Sequence, residues 1–307
     1  MMNSINDSTD SHEWLGYYER FTDFSHENIR AGCHPRIMEY AKASKAIVLV
    51  HGLTDSPHYM TAIADHFHHH LGYNVYLPLL HYHGLKEPMG MEGVDLKEWK
   101  ANVRFAINTA AEKAQRISIG GLSTGGTLSF YMACTCPRIT GSLYLFSAAL
   151  DLAGPPLGLL GELKERLLRT FMADILDKSK ENKPLIGKNP YRYTRMDMDG
   201  AQELARLIKE TDDLLDGYDH KEPFPKRVFA AHSEFDTTAD IQGIYALKKK
   251  TPEERFTFYI LPEEWQVKHA GVTQKEPVLS LDKQEELEKA NPKFEEMMEA
   301  INRFEQE

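Results

Sequence analysis

Residues 118–127 read Ser-Ile-Gly-Gly-Leu-Ser-Thr-Gly-Gly-Thr, with Ser123 set between two pairs of glycines. Glycine weakens both helices and strands, so four in ten residues call for a local cause. The preceding "QRISI" is a β-branched run of strand type, and the following "TLSFYMAC" reads as a helix. Gly121, Ser123 and Gly125 therefore fit G-x-S-x-G in the context that pattern needs, a serine on a sharp turn from strand into helix. The glycines two before and two after the serine remove side chains that would clash in so tight a turn. The competing phosphate-loop pattern needs a lysine, which this stretch lacks.

A serine hydroxyl is a weak nucleophile at neutral pH. It needs a base within hydrogen-bond reach, and the base needs an acid to orient it. On this kind of strand–turn–helix unit the partners follow in the order serine, acid, histidine. That order is restrictive here, because of 14 histidines only His269 lies beyond Asp236. His269 follows the strand-like "RFTFYILP", and Asp236 follows "KRVFAAHSEF". Asp236 is preferred to Asp240, which falls a helical turn further on. His232, inside the same strand, reads as a packed core histidine. The oxyanion formed by attack on a carbonyl would need two backbone amides. Thr124, next after the nucleophile, supplies one. The loop in "AIVLVHGLTDSP" supplies the other, assigned to Leu53, with Gly52 allowing close approach and His51 fixing the turn rather than acting as a base.

The rest of the chain alternates in the same way. "KAIVLV", "GYNVYLPLL", "QRISIGGL" and "GSLYLFSAA" read as strands, and "SPHYMTAIADHFHHH" and "DLKEWKANVRFAINTAAEKA" as helices, the first with Ser56 as N-cap. "RIMEYA" (36–41) is a candidate early strand. Such alternation implies an α/β domain with a mostly parallel sheet and helices on both faces. It breaks after residue 150, where residues 151–219 are helical in pattern, and resumes over 220–307. The core is thus expected in two parts, 1–150 and 220–307, split by a helical insertion. The chain closes on "NPKFEEMMEAINRFEQ", a helix with Asn291 as its expected N-cap.

"VLVHGLTDSP", "GYNVYLPLLHYHG", "GGLSTGG", "HSEFD" and the late His269 together resemble the α/β-hydrolase superfamily, and within it bacterial carboxylesterases and monoacylglycerol lipases. "NPYRYTRM" and "AQELARLIKET" are similar to the cap-to-core region of that group. The resemblance spans roughly residues 36–271. It implies a serine hydrolase of carboxylic esters, acting through an acyl-enzyme with Ser123, Asp236 and His269 as its triad and needing no cofactor. It also implies that 151–219 is a cap. There Leu157, Leu160, Phe171, Met172 and Leu176 are expected to line a pocket for short to medium acyl chains. Two departures stand out: the region before the first strong strand is short for an eight-stranded sheet, and the acidic stretch 272–291 has no counterpart.

Composition bounds the partners. A formal net charge of −10 argues against nucleic acid and anionic membrane surfaces. No run reaches the ~18 apolar residues of a membrane span, and the polar N-terminus lacks a secretory signal. Cys33, Cys134 and Cys136 read as reduced thiols, and "DHFHHH" as a solvated helix end rather than a metal site. A cytoplasmic enzyme of small acyl esters is expected, of no specified oligomeric state. A peptidase or amidase, an acyltransferase, and a hydrolase-shaped binding protein without turnover are the rivals.

Overall fold

The computed structural model describes residues 14–21, 24–86, 91–150, 184–194 and 198–307. Its main sheet has seven strands: β1 (Arg36–Met38), β2 (Lys45–Val50), β3 (Asn74–Leu77), β4 (Arg116–Leu122), β5 (Leu143–Phe146), β6 (Val228–Ser233) and β7 (Phe256–Leu261). They lie in the order β1-β3-β2-β4-β5-β6-β7. Only β1 runs antiparallel to its neighbour; all the other pairs are parallel. The N-terminal region that looked short for eight strands thus contributes one edge strand.

Both faces are covered, and strand alternation shows it. Ala46, Val48 and Val50 of β2 enter one core, while Ile47 and Leu49 enter the other. The first core receives α1 (Leu15–Arg20), the second α2 (Thr61–His69). Apolar positions of α3 (Leu96–Lys113), α4 (Thr124–Thr135), α5 (Met198–Asp216) and α6 (Ile241–Lys250) join the first core, and those of α7 (Phe294–Gln306) the second. Such buried-on-both-faces strands explain why "KAIVLV" is a continuous apolar run rather than an alternating one.

Some boundaries differ from the sequence expectation. The helix expected from Ser56 begins as a 3-10 turn, Pro57–Met60, and Ser56 makes no side-chain cap. Asn291 does not directly cap α7; it accepts from the Lys293 N–H at 2.9 Å and shapes the turn leading into Phe294. The acidic stretch forms a small antiparallel hairpin, β8 (Val278–Leu279) with β9 (Glu286–Glu288). Helix α5 falls within the expected insertion yet lies against α3 and α4. Its Glu203 accepts from the Leu96 N–H at 2.9 Å and so pins the start of α3. No helix among the described residues is long and apolar enough to cross a membrane.

The fold fixes the turn at Ser123. Ser123 has φ 53° and ψ −121°, a sparsely populated conformation costing about 1–3 kcal/mol. A Cβ on Gly125 would stand 2.1 Å from the Val50 carbonyl oxygen and 2.4 Å from that of His51. One on Gly121 would stand 2.4 Å from the Gly125 carbonyl carbon. These neighbours are backbone of central elements, so they have nowhere to move. Gly125→Ala is expected to cost about 4 kcal/mol or more, read as a fall in thermal midpoint on the order of 10 °C or loss of soluble protein. An unchanged midpoint would refute the packing argument.

Buried histidines set a pH dependence. Burial holds His51 well below the ordinary value of 6.5, with His83 adding to the effect. Burial likewise lowers His58 and His83, each to about 4. A histidine neutral in the fold but protonated when unfolded contributes stability that is complete above 6.5 and declines as pH falls toward the folded value. Each group contributes up to about 1.4 kcal/mol per pH unit in that window. Burial lowers His66 and His232 as well, and raises Asp55, which acts in the opposite sense, one group against five. The urea midpoint is therefore expected to fall between pH 7 and pH 5.

Candidate active site

Parallel strands deliver their following loops to one edge of the sheet. Ser123 follows β4 directly. Leu53 follows β2, Asp236 follows β6 and His269 follows β7. The structure brings Ser123, Leu53 and His269 to the wall of one cavity of about 1250 Å³. Ser123 is 4% exposed, at the N-terminal end of α4, whose dipole favours negative charge. Its N–H donates to the Phe146 carbonyl at 3.1 Å, and its carbonyl accepts from Ala149 N–H at 3.3 Å, so the turn is tied to the end of β5.

Asp236 sits beneath His269. The histidine Nδ1 lies 2.7 Å from Asp236 Oδ2, with the carboxylate side chain fully buried. The other carboxylate oxygen, Oδ1, accepts from the N–H groups of Thr238 at 2.8 Å and Ala239 at 3.1 Å. Burial alone would raise the Asp236 pKa, but the His269 ring, His232 and the Thr238 amide together hold it at about 2. The carboxylate is thus ionised at neutral pH and fixes the proton of the ring on Nδ1. Nε2 of His269 is buried and makes no hydrogen bond among the described residues, which leaves a basic nitrogen unoccupied. Asp240 instead caps α6, accepting from Gln242 N–H at 2.8 Å. His232 is fully buried, with Nε2 3.2 Å from the Ala239 carbonyl.

The turn after β2 stands against the serine. A Cβ on Gly52 would come within 3.3 Å of Ser123 Cβ. His51 fixes this turn: its Nε2 accepts from Leu80 N–H at 3.1 Å, so in the neutral ring Nδ1 carries the proton and donates to the Gly52 carbonyl at 2.8 Å. No main-chain carbonyl among the described residues accepts from Leu53 N–H. Thr124 opens α4, so its amide is one of the helix donors without an intrahelical acceptor.

A second polar cluster borders the cavity and was not visible in the sequence. Arg192 donates from Nε (2.8 Å) and Nη2 (2.5 Å) to Asp55 Oδ1, and from Nη1 (3.0 Å) to Glu288 Oε1. Glu288 also accepts from the Tyr59 hydroxyl at 2.6 Å and Asn189 Nδ2 at 2.9 Å. Among the described residues no cluster of metal-binding side chains occurs. The five apolar positions expected to hold an acyl chain, Leu157, Leu160, Phe171, Met172 and Leu176, lie outside the described residues.

Comparison with known proteins gives the lineage. Residues 41–265 match the family described as serine aminopeptidase, S33. A thermostable monoacylglycerol lipase of Bacillus sp. (strain H-257) is 30% identical over 221 residues, covering 70% of this chain and 82% of the lipase. A structure described with LipS and LipT, two metagenome-derived lipolytic enzymes, superposes with a TM-score of 0.63 at 18% identity, over 91% of this chain and 100% of that chain. Est1E from Butyrivibrio proteoclasticus, with ferulic acid bound, superposes with a TM-score of 0.54 at 14% identity, over 89% of this chain and 94% of its own. At such identities the structural likenesses speak for the fold alone. The chain belongs to the serine aminopeptidase S33 family, and its fold is that of the α/β-hydrolases.

Proposed function

We propose that this chain hydrolyses carboxylic esters through an acyl-enzyme on Ser123. The observation that carries the reading is the 2.7 Å contact of His269 Nδ1 with a buried, ionised Asp236, with Nε2 making no hydrogen bond among the described residues and Ser123 on the wall of the same cavity. His269 Nε2 takes the Ser123 Oγ proton as Oγ attacks the ester carbonyl carbon. The carbonyl oxygen becomes an oxyanion facing the amides of Leu53 and Thr124. Its collapse breaks the bond to the alcohol, which leaves with the proton from Nε2. Water then gives a proton to Nε2 and attacks the acyl carbon; collapse breaks the bond to Ser123 Oγ, which takes that proton back from Nε2 as the acid leaves. Asp236 keeps the ring in the tautomer both steps need and stabilises the imidazolium formed in each.

The substrate class proposed is short- to medium-chain acyl esters or monoacylglycerols, with the apolar stripe of the insertion holding the acyl chain. Each methylene buried adds about 0.8 kcal/mol, so turnover of p-nitrophenyl esters should rise with chain length until the pocket ends. The family description raises the aminopeptidase alternative, and the acids beside the site bear on it. A peptide amino terminus needs an unpaired carboxylate. Of the acids on the cavity wall, Asp55 and Glu288 are both engaged by Arg192. That leaves Glu286 as the acid that could receive such a terminus, and the anilide comparison below weighs it.

Ser123→Ala is expected to lower hydrolysis of p-nitrophenyl butyrate by at least about 10³-fold with the thermal midpoint retained. A fluorophosphonate should add one adduct, on the peptide carrying Ser123. Asp236→Asn should lose about 10³–10⁴-fold in kcat, since the amide favours the wrong ring tautomer. Faster turnover of an aminoacyl anilide than of the butyrate would overturn the ester reading, and so would a fluorophosphonate that leaves Ser123 unlabelled.

A further inference from the structure

We infer that Arg192 is a positioning residue for the oxyanion donor at Leu53, acting through Asp55; this rests on the ester-hydrolase reading and extends it. The path is a short chain of contacts. The peptide linking Gly52 to Leu53 is planar, so its C=O and N–H point in opposite directions. Fixing the Gly52 carbonyl therefore aims the Leu53 N–H. Two donors hold that carbonyl, His51 Nδ1–H at 2.8 Å and the Asp55 N–H at 3.3 Å. The first belongs to the turn itself. The second depends on where Asp55 is kept.

Asp55 is kept in place by residues far along the chain. Its side chain is 2% exposed. Its Oδ2 lies 2.6 Å from where a Cβ on Gly52 would be, so the carboxylate packs on the glycine that leads into the donor peptide. Between Gly52 and Asp55, Thr54 takes φ 66°, a left-handed conformation that persists only where the surroundings over-determine it. They do so here from one short segment. Arg192 grips Asp55 Oδ1 through two nitrogens, and the next residue, Tyr193, donates its N–H to the Thr54 carbonyl at 2.9 Å. Arg192 is itself braced. Its third nitrogen reaches Glu288 on β9, and its guanidinium lies 4.8 Å from the centre of the Tyr59 ring. The acidic hairpin, without counterpart at the level of sequence, thus gains a role as the far support of the oxyanion turn.

The chemistry selects arginine. The planar guanidinium serves two carboxylates through three separate nitrogens, whereas a lysine presents one point charge. Removing the cation would leave Asp55 buried without its partner, next to the place where an oxyanion forms. Both the aim of the donor and the local potential would then act against the transition state.

The test measures the wild type, Arg192→Lys, Arg192→Met and the double variant Asp55→Asn/Arg192→Met. The double variant removes the stranded charge and so protects the fold if Arg192→Met alone does not accumulate. For each, kcat and KM on p-nitrophenyl butyrate are compared with the affinity of an aryl trifluoromethyl ketone, whose serine adduct carries the oxyanion, and with the thermal midpoint. Loss of one oxyanion donor costs about 10²–10³-fold, and misaiming one should cost less. Expected is a fall in kcat of about 10–100-fold in the double variant with KM within about threefold. The ketone should weaken in parallel, and Arg192→Lys should lie between. A double variant that keeps wild-type kcat and ketone affinity while melting lower would reduce Arg192 to a structural tie and overturn the inference. A wild type inert toward the ester and toward a fluorophosphonate would instead sink the underlying hydrolase reading, so the two failures are told apart.

Discussion

The backbone contact between the turn after β2 and the turn after β4 is the constraint on which the site depends. β2 and β4 pair in parallel from Lys45 and Arg116 to Val50 and Gly121, so both chains leave the sheet side by side. The carbonyls of Val50 and His51 occupy the space a side chain on Gly125 would fill. This one approach does two things. It lets the helix that follows Ser123 start immediately, and it sets the Gly52–Leu53 peptide beside the serine. The proposed nucleophile and oxyanion donor are products of the same contact, which is why glycines are needed in both turns.

Charge at this edge is arranged in two separate systems. Asp236 is buried, receives two backbone amides and faces His269, so it remains an anion that holds a ring. Asp55 is buried as deeply but meets Arg192, which satisfies it without a histidine. A buried carboxylate without a partner costs several kcal/mol, and neither acid is left so. In the proposed mechanism the first anion orients the base and the second orients a turn.

Much of this arrangement was legible in the sequence. G-x-S-x-G between a strand and a helix located Ser123, and chain order singled out Asp236 and His269 because one histidine follows the acid. The structure places each after the strand expected. The Arg192 cluster was not legible, for a physical reason. Its partners lie 137 and 96 residues apart in the chain, and an arginine in "NPYRY" has no local pattern that distinguishes a clamp from a solvated charge. The hairpin of β8 and β9 was hidden because strands of two and three residues are too short to show alternation. Helix α5 shows a different ambiguity. An amphipathic stripe reads the same whether it covers a ligand or a layer of helices, and only its contacts with α3 and α4 decide.

Strain is concentrated where chemistry is proposed. Thr54, Ser123 and Ser147, with φ of 66°, 53° and 42°, follow β2, β4 and β5, three adjacent strands. At about 1–3 kcal/mol each, these conformations would relax if the edge were loose. Each is instead tied to a neighbour: Thr54 O to Tyr193 N–H at 2.9 Å, Ser123 N–H to Phe146 O at 3.1 Å, and Ser147 N–H to Ala231 O at 2.9 Å. Two of those ties run from strand end to strand end within the sheet and so inherit its rigidity. The third reaches outside the sheet, to the segment within the insertion that carries Arg192. Of these three turns, the proposed oxyanion turn is therefore the one whose geometry depends on chain beyond the sheet, and the place where a change in the insertion would first be felt by the proposed chemistry.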